Sequence, residues 1–205
     1  MKKRIVLVVA VFLVSTCAWG ESDPGRGWAR AQMCAGCHGI ADYRTAYPEV
    51  YSVPKLGGQE AAYIVKSLQD YKSGVRKHPT MNAIAATLSD QDMADLAAYY
   101  DTYKDAANKA LLGTGATRAS DEPGKTKADQ ACAGCHGPAG NRPISPETPR
   151  LAGQQYDYLV QVLNDYRQGT RQNPIMSAMA KPLTDKEIRD LASYFSRQQG
   201  LTAKR

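Results

Sequence analysis

Cysteine, any two residues, cysteine and histidine occur in that order twice, as Cys34-Ala35-Gly36-Cys37-His38 and as Cys132-Ala133-Gly134-Cys135-His136. Two thiols three positions apart can each form a thioether to one vinyl group of a porphyrin. The histidine that follows then lies under the iron as an axial ligand. The spacing therefore predicts two covalent haem c groups, attached through Cys34, Cys37, Cys132 and Cys135, with His38 and His136 as proximal iron ligands.

Other uses of paired cysteines fit less well. A four-cysteine zinc site usually places its pairs about 15–20 residues apart, whereas these pairs lie almost a hundred residues apart. A thioredoxin-like redox pair needs a βαβ setting, and no alternating strand pattern flanks either motif. The fifth cysteine, Cys17, lies just after the N-terminal apolar run.

What fills the second axial position separates an electron carrier from a catalyst. An internal repeat supplies a test. Lys55-Leu56-Gly57-Gly58-Gln59 matches Arg150-Leu151-Ala152-Gly153-Gln154, Leu68-Gln69-Asp70-Tyr71 matches Leu163-Asn164-Asp165-Tyr166, and Leu88-Ser89-Asp90 matches Leu183-Thr184-Asp185, all at an offset of 95 residues. At that offset Met81 falls on Met176, while Met179 falls on Ile84 and Met93 on Ile188. Methionine in a helical protein is commonly packing, but two at equivalent places in units that each need a sixth ligand predict Met81 and Met176 as the distal ligands. His78 competes for the role in the first unit; its counterpart is Asn173. Histidine–methionine ligation raises the potential and fills both faces of the iron, which predicts one-electron transfer and no open catalytic haem site. Pro54 and Pro149 align as acceptors for the proximal imidazoles. Arg76 and Arg171 align as candidate propionate partners or as solvated surface residues.

These groups must be positioned by helices. Apolar residues at helical spacing predict helices over Gln59–Ser73 and Gln154–Gln168, ended by Gly74 and Gly169. Ser89-x-x-Asp92 and Thr184-x-x-Glu187 read as starts of final helices over Asp90–Tyr103 and Asp185–Gln198. Leu96, Tyr99 and Tyr100, and their counterparts Leu191, Tyr194 and Phe195, are read as core against the helix that leads into each pentapeptide. The fold class is all-α. The pentapeptides are offset by 98 rather than 95, so the first copy has three extra residues between His38 and Lys55, in a loop carrying Tyr43, Tyr47 and Tyr51.

Lys2, Lys3 and Arg4 precede an apolar run from Ile5 to Val14, followed by small residues at Ala18 and Gly20. This reads as an export signal over 1–20, removed from the mature chain. The run is short against the roughly 20 residues of a membrane span; an uncleaved anchor and a lipid on Cys17 are the alternatives. The organisation is then an N-terminal domain over 21–110, a linker over 111–124 carrying Gly113, Gly115, Pro123 and Gly124, and a C-terminal domain over 125–205. Each has a reasonable length for one core. Residues 21–118 carry eleven basic and eleven acidic side chains, and 119–205 carry twelve and nine. That balance excludes a nucleic-acid binder and leaves a modest dipole that can orient docking with a charged redox partner.

The doubled pentapeptide, the Pro-Lys/Arg-Leu-Gly/Ala-Gly-Gln segments, the paired methionines and the Leu-Ser/Thr-Asp helix starts together resemble the dihaem cytochrome c4 family, across nearly all of the mature chain. The resemblance implies two tandem class I cytochrome c domains, each a small helical bundle around its haem c, related by a pseudo-twofold axis with neighbouring haems. It implies a periplasmic carrier, soluble or peripherally membrane-associated, passing electrons between a respiratory donor complex and a terminal oxidase. A dihaem subunit of a dehydrogenase complex, such as a flavoprotein sulfide dehydrogenase, is the alternative. A dihaem peroxidase would need a displaceable ligand, against which the two matched methionines argue.

Overall fold

A computed structural model describes residues 20–104 and 124–203. Residues 1–19 of the expected 1–20 signal segment, Cys17 among them, and all but the last residue of the 111–124 linker lie outside the described residues. The first unit holds α1 (Pro24–His38), α2 (Ala61–Lys72), α3 (Pro79–Ala86) and α4 (Asp90–Asp101). The second holds α5 (Lys125–Ala131), α6 (Ala133–His136), a 3₁₀ turn (Pro138–Gly140), α7 (Tyr156–Gln168), α8 (Pro174–Ala180) and α9 (Asp185–Arg197). Among the described residues there is no strand, only isolated bridges at Arg44–Ser52 and Gly57–Thr202.

The two cores match residue for residue. Ile64, Leu88, Met93, Leu96, Ala97, Tyr99 and Tyr100 pack in one; Leu159, Leu183, Ile188, Leu191, Ala192, Tyr194 and Phe195 pack in the other, each 95 positions on. Met93, unmatched as a methionine, is fully buried where the second unit has Ile188. In each unit the helix leading to the pentapeptide crosses the final helix at a glycine. A Cβ on Gly27 would lie 2.0 Å from the Asp95 carbonyl oxygen, and one on Gly124 would lie 2.3 Å from that of Asp190. Side chains at these crossings would force the helices apart. Both final helices start where their sequences predict, and both in full capping boxes, Thr184 with Glu187 and also Ser89 with Asp92, where the sequence marks only a cap.

The pentapeptide helices differ. In the first unit α1 runs unbroken through His38. In the second, one more residue separates the buried alanine from the first cysteine (Ala31 to Cys34 against Ala128 to Cys132). The helix breaks at Cys132, with φ −112° and ψ −35°, into α5 and α6. The break takes up the extra residue, so that both buried alanines keep their place in the core.

The periodicity predicts helices from Gln59 and Gln154, but α2 and α7 begin two residues later. These glutamines lie in extended segments, almost completely buried, and reach across to the other unit. Gln154 Oε1 accepts from Lys55 N–H (2.8 Å) while its Nε2 donates to the Lys55 carbonyl (3.1 Å). Gln59 does the same to Arg150, at 2.8 and 3.1 Å. The reciprocity is that of an approximate twofold axis. Around it, Arg150 Nε reaches Glu60 at 2.8 Å and Lys104 reaches the other oxygen of that carboxylate at 2.5 Å. Tyr63 N–H, an orphan donor of the first turn of α2, is satisfied by the Pro146 carbonyl at 3.1 Å. The loop with the three extra residues docks here too. Ser52 donates its N–H and hydroxyl to one oxygen of Asp157, both at 2.9 Å, and Arg44 joins that carboxylate at 3.2 Å.

Candidate functional site

Each pentapeptide histidine ends its helix and points its ring at a proline carbonyl. His38 Nδ1 lies 2.7 Å from the Pro54 oxygen, and His136 Nδ1 lies 2.8 Å from that of Pro149. A carbonyl only accepts, so Nδ1 carries the proton and the Nε2 lone pair is left for a metal. Burial pushes both imidazoles below their ordinary pKa, against the opposing effect of the proline carbonyl. The neutral ring favoured in this way is the form that binds iron.

Met81 and Met176 stand at the third position of two short helices built alike. Each helix opens with a proline, Pro79 or Pro174, after an extended capping residue. In the first unit that residue is His78, whose Nδ1 accepts from the Met81 N–H at 3.4 Å; in the second it is Asn173, whose Oδ1 accepts from the Met176 N–H at 3.0 Å. The mismatch at this position is thus two solutions to one capping problem. His78 also accepts through its own backbone carbonyl from Asn82 N–H and donates its N–H to the Asn82 side chain, which fixes it further as a cap.

The four pentapeptide cysteines, both histidines and both methionines all line one cavity of about 620 Å³ that extends through both units. Its walls are largely aliphatic and aromatic, with Ile64, Leu68 and Leu96 on one side and Leu159, Leu163 and Leu191 on the other. No disulfide joins any of these four cysteines. Burial raises the pKa of Cys34, and raises that of Cys132 to about 11. Among the described residues no three His, Cys, Asp or Glu side chains converge as a metal site, so the cysteines do not form the four-cysteine zinc cluster.

Between the halves of the cavity two buried arginines meet. Arg76 Nη2 lies 3.3 Å and Arg171 Nη2 3.1 Å from the same Tyr63 hydroxyl, and Arg171 Nη1 lies 3.5 Å from the Tyr158 hydroxyl. Burial works against ionisation of Tyr63, but the two guanidinium groups outweigh it and hold the phenol below its ordinary range. Arg171 Nε is buried and has no partner. A buried cationic pair with an unspent donor suits an anionic group within the cavity, and a haem brings two carboxylates. The surface reading of these arginines is therefore corrected: Arg171 is 9 % exposed, and the Arg76 side chain 11 %. Tyr63 and Tyr158 were missed in the sequence, although they too align at the 95-residue offset.

The cytochrome c family profile matches the chain twice, over residues 22–104 and 122–198. Cytochrome c4 of Pseudomonas aeruginosa is 35% identical over 209 residues, covering 98% of this chain and all of that protein. The thiosulfate dehydrogenase electron acceptor of Stutzerimonas stutzeri is 37% identical over 175 residues, covering 81% of this chain and 79% of that one. The crystal structure of reduced recombinant cytochrome c4 from Pseudomonas stutzeri superposes with a TM-score of 0.65 at 32% identity, covering 88% of this chain and all of that one. With two pentapeptides, two matched domains and one continuous apolar cavity, the chain belongs to the cytochrome c family, as a dihaem electron-transfer protein of the cytochrome c4 kind that carries two covalent haem c groups.

Proposed function

We propose that this chain passes single electrons from a respiratory donor complex to a terminal oxidase in the periplasm, after loss of a signal peptide over 1–20, with domains over 21–110 and 125–205. Each iron is held by residues of one domain, His38 and Met81 in the first and His136 and Met176 in the second. The observation that carries this reading is the identical build of α3 and α8, which offer a methionine to the cavity from a capped, proline-started turn in each unit. Haem c, when bound, supplies an iron that gains and loses one electron. The protein's part is to hold the attachment and axial side chains still, so that little rearranges as charge moves. Cys34 and Cys37, and Cys132 and Cys135, tether the groups; Pro54 and Pro149 fix the imidazoles. Arg76 and Arg171 would take the propionates between the domains. Among the described residues no helix is long and apolar enough to cross a membrane.

The likeness to the thiosulfate dehydrogenase electron acceptor favours a second reading, in which the donor is a dehydrogenase and this chain its dihaem partner. Stopped-flow mixing separates the two. The ferrous protein is mixed with oxidase-containing membranes, and the ferric protein with a thiosulfate dehydrogenase and thiosulfate. Rapid oxidation in the first experiment supports delivery to an oxidase. Rapid reduction only in the second supports the dehydrogenase reading.

A further inference from the structure

The imidazole of each domain is wired to the other domain through a single peptide group. The Pro54 carbonyl that accepts from His38 belongs to the same peptide unit as the Lys55 N–H, and that N–H donates to Gln154 Oε1 across the interface at 2.8 Å. In mirror fashion the Pro149 carbonyl accepts from His136 while the Arg150 N–H of that peptide donates to Gln59 Oε1 at 2.8 Å. Gln59 and Gln154 are 3 % and 5 % exposed, so neither relay is diluted by water.

We propose that Gln59 and Gln154 are positioning residues that set, in trans, the redox potential of the haem in the opposite domain: Gln154 acts on the first haem and Gln59 on the second. The inference rests on His38 and His136 as the proximal ligands. Hydrogen bonds in a chain polarise one another, and more so where the surroundings are apolar. A peptide whose N–H is engaged by a glutamine oxygen has a more electron-rich carbonyl, which draws harder on the Nδ1 proton. The imidazole becomes more anionic, and that stabilises the ferric iron. Each glutamine also grips the residue after the proline on both sides, because Nε2 donates to the Lys55 or Arg150 carbonyl, in the next peptide along, while Oε1 accepts from that residue's N–H. The orientation of the acceptor over the histidine is therefore set from the far domain. Docking, or separation, of the domains would be felt at both irons through these two side chains.

The test uses the full holoprotein and a redox titration followed by NMR, with each haem's signals assigned beforehand. Gln154→Leu is expected to raise the potential of the first haem, seen as a roughly two- to tenfold shift toward ferrous iron at fixed applied potential, with the second haem unmoved. Gln59→Leu is expected to do the reverse. Gln154→Glu keeps and strengthens the acceptor oxygen, so it should lower the first haem relative to the second; a variant that only loosened the interface would not change sign in this way. Shifts confined to the glutamine's own domain, equal shifts in both haems, or no shift in either would overturn the proposal. The near-infrared sulfur-to-iron band of each haem is recorded in the same samples. If both bands persist while no potential moves, the relay fails and the axial ligands stand. If the unmodified protein lacks the bands, the ligand reading itself fails.

Discussion

His78 and Asn173 hold the same place in the two domains and perform the same task, each accepting a hydrogen bond from the backbone N–H of the methionine three residues on. The ring nitrogen that caps the helix is not free for iron. His78→Asn should therefore leave the optical spectrum unchanged and stability within about 0.5 kcal/mol, whereas His78→Ala, which has no acceptor, should cost about 1 kcal/mol of stability. Chemical denaturation and the visible spectrum check both. Loss of the first haem's native spectrum in His78→Asn would make His78 a ligand.

Gly27 and Gly36 sit on the same helix with opposite tolerances. A Cβ on Gly27 meets the Asp95 backbone, while one on Gly36 meets nothing within 4 Å among the protein atoms. Gly27→Ala should destabilise the first domain by more than about 2 kcal/mol, since a helix crossing must open. Gly36→Ala should be neutral, or stabilising by up to roughly 1 kcal/mol, through helix propensity. Thermal denaturation of the two variants checks the contrast.

The carboxylate of Asp95 ties the start of the haem-bearing helix to the final helix. It accepts from Arg26 Nε at 2.7 Å, from Asp23 N–H at 2.8 Å and from Gln91 at 3.0 Å. The Arg26 hydrogen bond, with help from Asp23 and Gln91, holds it at about 2 despite its burial. A folded-state pKa below the unfolded value of about 3.9 contributes stability that is complete above pH ~5 and is lost as the pH falls toward 2. The contribution is roughly 2 kcal/mol at neutral pH. Asp95→Asn should remove most of it and flatten the loss of stability between pH 4 and 2, as read from denaturation midpoints across that range.

The excess of basic residues in the second half of the chain predicts docking on an acidic partner. Transfer to such a partner should slow several-fold as ionic strength rises to ~0.15 M, where the Debye length has shrunk to about 8 Å. Stopped-flow rates against salt concentration check this; rates indifferent to salt would place the docking face elsewhere.

What could be read from the sequence was local or repeated. The pentapeptides, the capping boxes and the matched methionines each announce themselves within a few residues or by recurrence at a fixed offset. The break at Cys132 did not, because it follows from one extra residue in an otherwise helical stretch, and only the fixed place of Ala128 in the core reveals it. The roles of Gln59 and Gln154 were equally hidden. Both belong to matched segments, but helical periodicity assigned them to α2 and α7, and partners more than 90 residues away leave no local signature. Tyr63 bridges Arg76 and Arg171 for the same non-local reason.

The central claim is that each iron lies between an imidazole and a thioether of its own domain. The most direct measurement is the near-infrared sulfur-to-iron absorption of the ferric holoprotein, compared with Met81→Ala and Met176→Ala. Each variant is expected to lose about half of the band, the portion from one haem, with the other haem intact. An undiminished band in either variant, or no band in the unmodified protein, would contradict the account.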